Sequence, residues 1–194
     1  MNKKIFAAGI AGGSASGKST LCDKLEKELS AYKLAVIHMD NYFKSGRTPK
    51  KAFIAGREYL DDNHPDALDL RRLERDMLDI INKNEHDILI VEGLMTLWDD
   101  KICGMLDLKI FVECKADERI VRRLRRNMNF GLSFDEIADV YIDMVRYRHE
   151  EYVEPSKWRA DIIINGSNPT DTGLEVLVGY IKSRADYIIR GEQK

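Results

Sequence analysis

Short uninterrupted apolar runs alternate along this chain with longer amphipathic stretches. The runs fall at residues 5–10, 34–39, 88–91, 108–112 and 162–164. None alternates strictly between apolar and polar, which is the pattern of strands covered on both faces. The stretches between them have a period near that of a helix. Residues 20–31 place Leu21, Leu25 and Leu29 together, and residues 70–84 carry Leu70, Leu73, Met77, Ile80 and Ile81 on one stripe. Residues 116–128 are rich in arginine. Ser133 and Glu136 form a capping box that opens a helix to about residue 152. Asn168-Pro169 prepares a last helix over 171–190, with Leu174, Leu177 and Ile181 on its buried side. This alternation predicts an α/β fold, a parallel five-stranded sheet with helices on both faces. Ligands of such sheets bind beyond the carboxyl ends of the strands, so the residues just after each run are where chemistry is expected.

The first run leads into Gly12-Gly13-Ser14-Ala15-Ser16-Gly17-Lys18-Ser19-Thr20. Gly12, four residues, Gly17, Lys18 and Ser19 match the phosphate-binding loop (P-loop) in full, with a strand before and a helix after. Backbone N–H groups and the helix N-terminus would face phosphate oxygens. Lys18 would reach the β/γ-phosphates and the Ser19 hydroxyl would ligate Mg²⁺. The second run ends in Asp40 and the third in Glu92. Two carboxylates at the mouth of one sheet, beside a phosphate loop, suit a base and a metal site. Asp40 is expected to accept a proton from an acceptor hydroxyl, and Glu92 to serve the metal directly or through its water.

After the fourth run, residues 115–126 hold six basic residues against two acidic ones. A solvated helix face competes as an explanation. Arg123 and Arg126, one turn apart, are expected instead to close over phosphates, where guanidinium forks match the charge spread over a transferring phosphoryl group. Tyr42 and Phe43 follow the second run and suit either stacking on a substrate or packing in the core. His64 precedes a proline, more as a turn residue than as a substrate contact. His38, His86 and His149 have no metal-ligand spacing and receive no role.

At 194 residues the chain suits one domain over 1–194, with a lid at about 115–135. Thirty-one Lys and Arg against 33 Asp and Glu leave a net charge of −2, with no broad attraction for nucleic acid or membrane. Cys22, Cys103 and Cys114 are widely spaced and read as reduced thiols of a cytoplasmic protein. Lys3-Lys4 before an apolar stretch imitates a leader peptide, but cleavage there would remove the phosphate loop. No run approaches the roughly 20 apolar residues of a membrane span. The expected partner is a small-molecule acceptor, with assembly as a homo-oligomer left open.

Taken together these residues resemble the uridine kinase branch of the P-loop kinases, which includes phosphoribulokinase-like and nicotinamide riboside kinase-like enzymes. The resemblance runs over residues 5–166. It rests on the loop at 12–19, Met39-Asp40, His64-Pro65-Asp66-Ala67-Leu68-Asp69, Glu92-Gly93-Leu94, Asp107-Leu108-Lys109-Ile110-Phe111-Val112 and Arg122-Arg123-Leu124-Arg125-Arg126. His149-Glu150-Glu151-Tyr152-Val153-Glu154-Pro155-Ser156-Lys157 and Ala160-Asp161-Ile162-Ile163-Ile164 extend it. It implies P-loop kinase architecture with a short helical lid and transfer from ATP, or another nucleoside triphosphate, to a ribose 5′-hydroxyl. It also implies Mg²⁺ among Ser19, Asp40 and Glu92, a lid carrying Arg123 and Arg126, and adenine near residues 165–168.

The departures from the family concern the acceptor. The resemblance implies a pyrimidine-contacting hairpin between the His-Pro-Asp segment and the third strand. Here only the 17 residues from 70 to 86 lie between Asp69 and Asp87. A 15-residue helix, about 22 Å long, uses almost all of them. Asn63 stands where the family pattern has a ribose-binding Asp, and the lid arginines expected after Arg126 are replaced around Asn129-Phe130-Gly131-Leu132. The acceptor therefore stays open between a uridine or cytidine-type nucleoside and another alcohol, such as a different riboside, a sugar or a pantothenate-like compound. A GTP-binding switch is a remote third reading. Its guanine-reading motif is only approached by Asn82-Lys83-Asn84-Glu85, which precedes a strand instead of following one.

Overall fold

The computed structural model describes residues 5–54 and 56–191. Lys3 and Lys4, weighed above as the start of a leader, lie outside them. Its strands are β1 (Phe6–Gly12), β2 (Leu34–His38), β3 (Lys50–Lys51), β4 (Glu58–Tyr59), β5 (Ile88–Glu92), β6 (Leu108–Glu113) and β7 (Ile162–Asn165). Five of these form one parallel sheet in the order β2-β5-β1-β6-β7. Each of the five lies within two residues of an apolar run.

The pleat sorts side chains onto two cores. Ile5, Ala7 and Ala11, with Leu89, Val91 and Phe111, face a layer that includes α2 (Leu70–Lys83) and α3 (Asp100–Gly104), through Leu73, Met77 and Ile102. Phe6, Ala8 and Ile10, with Ile88, Ile90 and Ile110, face α1 (Lys18–Glu28) and the terminal helix through Cys22, Leu25, Leu29, Leu177 and Ile181. Gly9 has to be small. A Cβ there would lie 2.4 Å from Leu106 Cδ1.

The two edge strands depart from the expected two-sided burial, and in β2 only Ile37 is buried. β7 is the edge opposite β2, and Ile163 is 46% exposed. An apolar run of three residues reads the same whether or not a helix covers its outer face.

Two helices follow on from β6. α4 (Ala116–Met128) is bounded as expected. α5 (Phe134–Val140) opens on the capping box: Ser133 Oγ accepts from Glu136 N–H at 3.3 Å and Glu136 Oε2 accepts from Ser133 N–H at 2.8 Å. The helix then continues past the expected end at residue 152. It passes through a π turn (Tyr141–Val145), α6 (Arg146–Arg148), a second π turn (His149–Val153), α7 (Glu154–Ser156) and a 3₁₀ turn (Lys157–Arg159). The second π turn lies immediately before the turn containing Pro155, where the missing N–H breaks the regular α ladder. Finally α8 (Asp171–Arg190) is capped by Thr170, which accepts from Gly173 N–H at 3.2 Å, and by left-handed Gly191.

The segment between Asp69 and Asp87 is filled by α2, so no hairpin stands there. A different hairpin, β3 with β4, lies earlier in the chain. It docks on the long helix. Phe53 N–H donates to the Asp143 carbonyl at 3.1 Å, Tyr59 Oη to Asp143 Oδ2 at 3.1 Å, and Arg148 pairs with buried Asp61 at 2.7 Å. Two-residue strands carry no readable alternation, so these elements were invisible to pattern.

The two-core layout makes a simple stability prediction. Phe111→Ala should cost about 3–5 kcal/mol in urea unfolding, while Ile163→Ala at the open edge should cost under about 1 kcal/mol. Equal losses would contradict the assignment of β7 as an uncovered edge.

Candidate active site

The parallel register puts the functional strand ends side by side. Ile10 and His38 are both in register with Glu92, so the loop after β1, the turn after β2 and the end of β5 meet at one edge. The phosphate loop then bends back into α1. Gly12 has φ 145°, and a Cβ there would meet the Val112 carbonyl oxygen at 2.4 Å. Gly17, at φ 105°, caps α1 with its bare backbone. Ala15 holds a left-handed φ of 62°, strained for a residue with a side chain.

Lys18 is buried and donates to the Gly13 carbonyl at 3.2 Å. Its Nζ lies 4.0 Å from Glu92 Oε1, which also accepts from Ser19 Oγ at 3.3 Å. The other carboxylate oxygen, Oε2, is 3.3 Å from His38 Nδ1. Burial lowers the Lys18 pKa; Glu92 and Asp40 oppose that effect, and Arg126 and Arg119 add to it. Asp40 stands exposed in the 3₁₀ turn Met39–Tyr42. A hydroxyl and two carboxylates are hard oxygen donors of the type that suits Mg²⁺, which usually takes only one or two protein carboxylates and completes its shell with water and phosphate. Among the described residues no cluster of three or more His, Cys, Asp or Glu forms a self-sufficient metal cage.

α4 meets this loop with arginines instead of apolar side chains. Positions 119, 122, 123 and 126 share one face, and Arg119 is the only buried residue of the helix. Arg123 Nη1 donates to Ser14 Oγ at 2.9 Å and Arg126 Nη2 to the same oxygen at 3.4 Å. Two guanidinium groups thus share one neutral hydroxyl. Arg123 Nε is buried without a partner among the described residues. Burial, and then the neighbouring Arg126, lowers the Arg123 pKa. An anion would relieve both.

The loop separates two cavities. One, about 240 Å³, is lined by Ser14, Lys18, Ser19, Asp40, Phe43, Asn63, Glu92, Arg123 and Arg126 among others. The other, about 530 Å³, lies across the loop against Thr20, Arg122, Ile164, Gly166, Thr170 and Leu174. Ala15, Lys18, Ser19 and Arg126 line both. Ser16 and Gly17 line only the larger.

Not every candidate reaches a cavity. Tyr42 lies in the core, its Oη donating to Asp76 at 2.9 Å and its ring under Arg72. Burial and the bond to Asp76 push its pKa up to about 12. Tyr42 is therefore a packing residue, because the 3₁₀ turn after β2 sends it toward α2. His64 is a turn residue. Its Nδ1 accepts from Asp66 N–H at 3.0 Å, its Nε2 lies 2.9 Å from Tyr152 Oη, and it faces a separate pocket. Gly13 lines neither cavity, since the Arg119 side chain covers it.

The model of the phosphoribulokinase / uridine kinase family matches residues 79–173. A uridine kinase of Clostridium tetani is 33% identical, with 94% of this chain and 97% of that protein covered. The chain belongs to the phosphoribulokinase/uridine kinase family. A uridine kinase of Bacillus subtilis is 28% identical over 94% of this chain and 96% of its own. Among solved structures, the phosphoribulokinase of Rhodobacter spheroides shares the fold at a TM-score of 0.63, with 17% identity over 86% of this chain and 74% of that one.

Within this family framework, three residues at the site escaped sequence reasoning. Arg119 and Arg122 had a usable signal, since 119, 122, 123 and 126 follow helical spacing. Arg122 Nη1 donates to the Gly166 carbonyl at 2.9 Å, tying α4 to the loop after β7. His38 had none, because only the β2–β5 register brings it to Glu92.

The placement of Tyr42 is directly testable. Tyr42→Phe should lower unfolding stability by about 1–2 kcal/mol through the lost bond to Asp76 and leave kcat/KM for acceptor within about twofold. A tenfold rise in acceptor KM at unchanged stability would return Tyr42 to the substrate site.

Proposed function

We propose that this protein is a uridine-type nucleoside kinase that transfers the γ-phosphoryl group of ATP to a ribose 5′-hydroxyl. One observation carries the reading: Asp40, Lys18, Ser19, Glu92, Arg123 and Arg126 line a single cleft, with a second cavity across the phosphate loop. The names of the relatives agree with it. The family likewise implies a nucleotide donor and a small-molecule acceptor.

In this reading the triphosphate lies along residues 12–20, with its base in the larger cavity and the loop after β7 beside it. The acceptor ribose enters the smaller cleft between Asp40, Phe43 and Asn63. An amide at Asn63 both donates to and accepts from hydroxyls. Asp40 accepts the 5′-hydroxyl proton as the oxygen–phosphorus bond forms and the bond to the β-phosphate bridging oxygen breaks. Lys18, Arg123 and Arg126 meet the charge on the phosphoryl oxygens, the two arginines exchanging Ser14 for phosphate. Most of the rate in such a transfer comes from positioning and charge neutralisation. Ser19, Asp40 and Glu92 would hold Mg²⁺, which supplies further neutralisation of the phosphates.

Residues 115–135 act as the lid in this scheme, and the chain works as one domain. Among the described residues no helix is long and apolar enough to cross a membrane.

Two measurements test the proposal. Asp40→Asn should bind nucleotide normally and lose about 10²–10⁴-fold in kcat; near-normal turnover would remove Asp40 as the base. A panel of alcohols with Mg²⁺-ATP, followed by ADP release, should rank uridine and cytidine first. Turnover of both no faster than of unrelated ribosides or sugars would overturn the acceptor assignment.

A further inference from the structure

Gly13 belongs to a phosphate-loop motif, where a glycine ordinarily serves a backbone bend or close approach of phosphate. Its surroundings give a different reason. Its φ lies outside the left-handed range, and the three atoms nearest to an added Cβ are all from one side chain. They are Arg119 Nη1 at 2.6 Å and Arg119 Cδ and Cζ at 3.0 Å. At Gly12 and Gly166 the nearest obstacle is backbone instead. A side chain at position 13 would meet the Arg119 guanidinium first, and one of the two would have to move.

That guanidinium is unusual in itself. Arg119 is 6% exposed, and no carboxylate among the described residues forms an ion pair with it. Its Nε donates to the Cys114 carbonyl at 3.0 Å, which anchors it to the end of β6. The nearby Glu154 is engaged by Lys157 and by His149. Burial, then the Arg119 charge, lowers the His149 pKa to about 4, so this neighbour is a neutral ring near pH 7. A buried arginine without a counter-ion is costly unless its charge is used. Gly13, beside it, is central to the loop, because its carbonyl accepts from both Lys18 Nζ at 3.2 Å and Ser16 N–H at 3.1 Å.

We propose that Arg119 is a positioning residue for the nucleotide: it props the Gly13 peptide from behind and fixes a positive charge beneath the phosphate loop. It sets affinity for the polyphosphate more than the rate of transfer. The inference rests on the reading above that this loop holds a nucleotide, and on nothing about the acceptor.

The test is a double-mutant cycle read by calorimetric binding of Mg²⁺-ADP to the full chain, with steady-state kinetics alongside. Arg119→Ala should weaken binding about tenfold and raise KM for ATP in parallel, while kcat falls less than about threefold. Arg119→Lys, which restores charge without the Nε anchor, should recover part of the affinity. Gly13→Ala alone should also weaken binding, by collision with the guanidinium. In the double variant that penalty should disappear, leaving affinity within about twofold of Arg119→Ala. A lowered Tm with nucleotide affinity unchanged would overturn the proposal, as would a Gly13→Ala penalty that is the same with and without Arg119. Should Arg119→Ala fail to fold, Arg119→Lys with and without Gly13→Ala carries the same comparison. Because the readout is binding, failure to phosphorylate uridine would count against the acceptor assignment and leave this result standing.

Discussion

The site is organised around positive charge that the protein alone only partly neutralises. Lys18, Arg119, Arg123 and Arg126 converge on one loop, and their nearby protein partners are mostly neutral oxygens. Lys18 and Ser19 share Glu92, Arg123 and Arg126 share the Ser14 hydroxyl, and Arg119 is anchored by a carbonyl. Bringing Lys18 and Arg119, and in part Arg123, out of water carries a penalty that neutral hydrogen bonds offset only in part. A polyphosphate would supply the missing negative charge at the N-terminus of α1. α4, whose one buried residue is Arg119, is held beside the loop by hydrogen bonds from Arg119 to the Cys114 carbonyl, from Arg122 to the Gly166 carbonyl and from Arg123 and Arg126 to Ser14.

The sheet is what makes that concentration of charge feasible. β1 is central, with β5 on one side and β6 on the other, and every residue of β1 is buried. A fully covered strand gives the loop a rigid starting point, and parallel register delivers Glu92 and His38 to the same edge. Gly12 and Gly166 let backbones pass at distances no side chain would allow. The far wall of the smaller cleft, at Asp40, Phe43 and Asn63, is built differently. It rests on a 3₁₀ turn, a loop and a small hairpin anchored to the long helix through Asp143, Arg148 and Asp61.

Legibility in the sequence followed the range of the interactions involved. The five sheet strands, the phosphate loop and the bounds of α4 and α8 were readable, because apolar runs, glycine spacing and helical period are local properties. The two-residue strands were not, since they have no period. Neither was the continuation of the long helix past Tyr152 through α7 and a 3₁₀ turn, nor the two π turns that precede α7. Phe43 and Tyr42 are adjacent and chemically alike, yet one lines the cleft and the other packs on α2. Nothing local distinguishes them.

The sequence by itself determined that a strand, a phosphate loop and a helix follow one another, that carboxylates end the next two strands, and that an arginine-rich helix comes later. These are statements about neighbours along the chain, where backbone geometry and side-chain period act directly. The tertiary structure alone decided which strands lie side by side, and so that His38 reaches Glu92. It also decided that Tyr42 turns inward, and that Arg119 lies against Gly13 while Arg123 and Arg126 reach Ser14. Each of those outcomes depends on which surfaces are buried against one another, and burial is set by contacts between segments far apart in the chain.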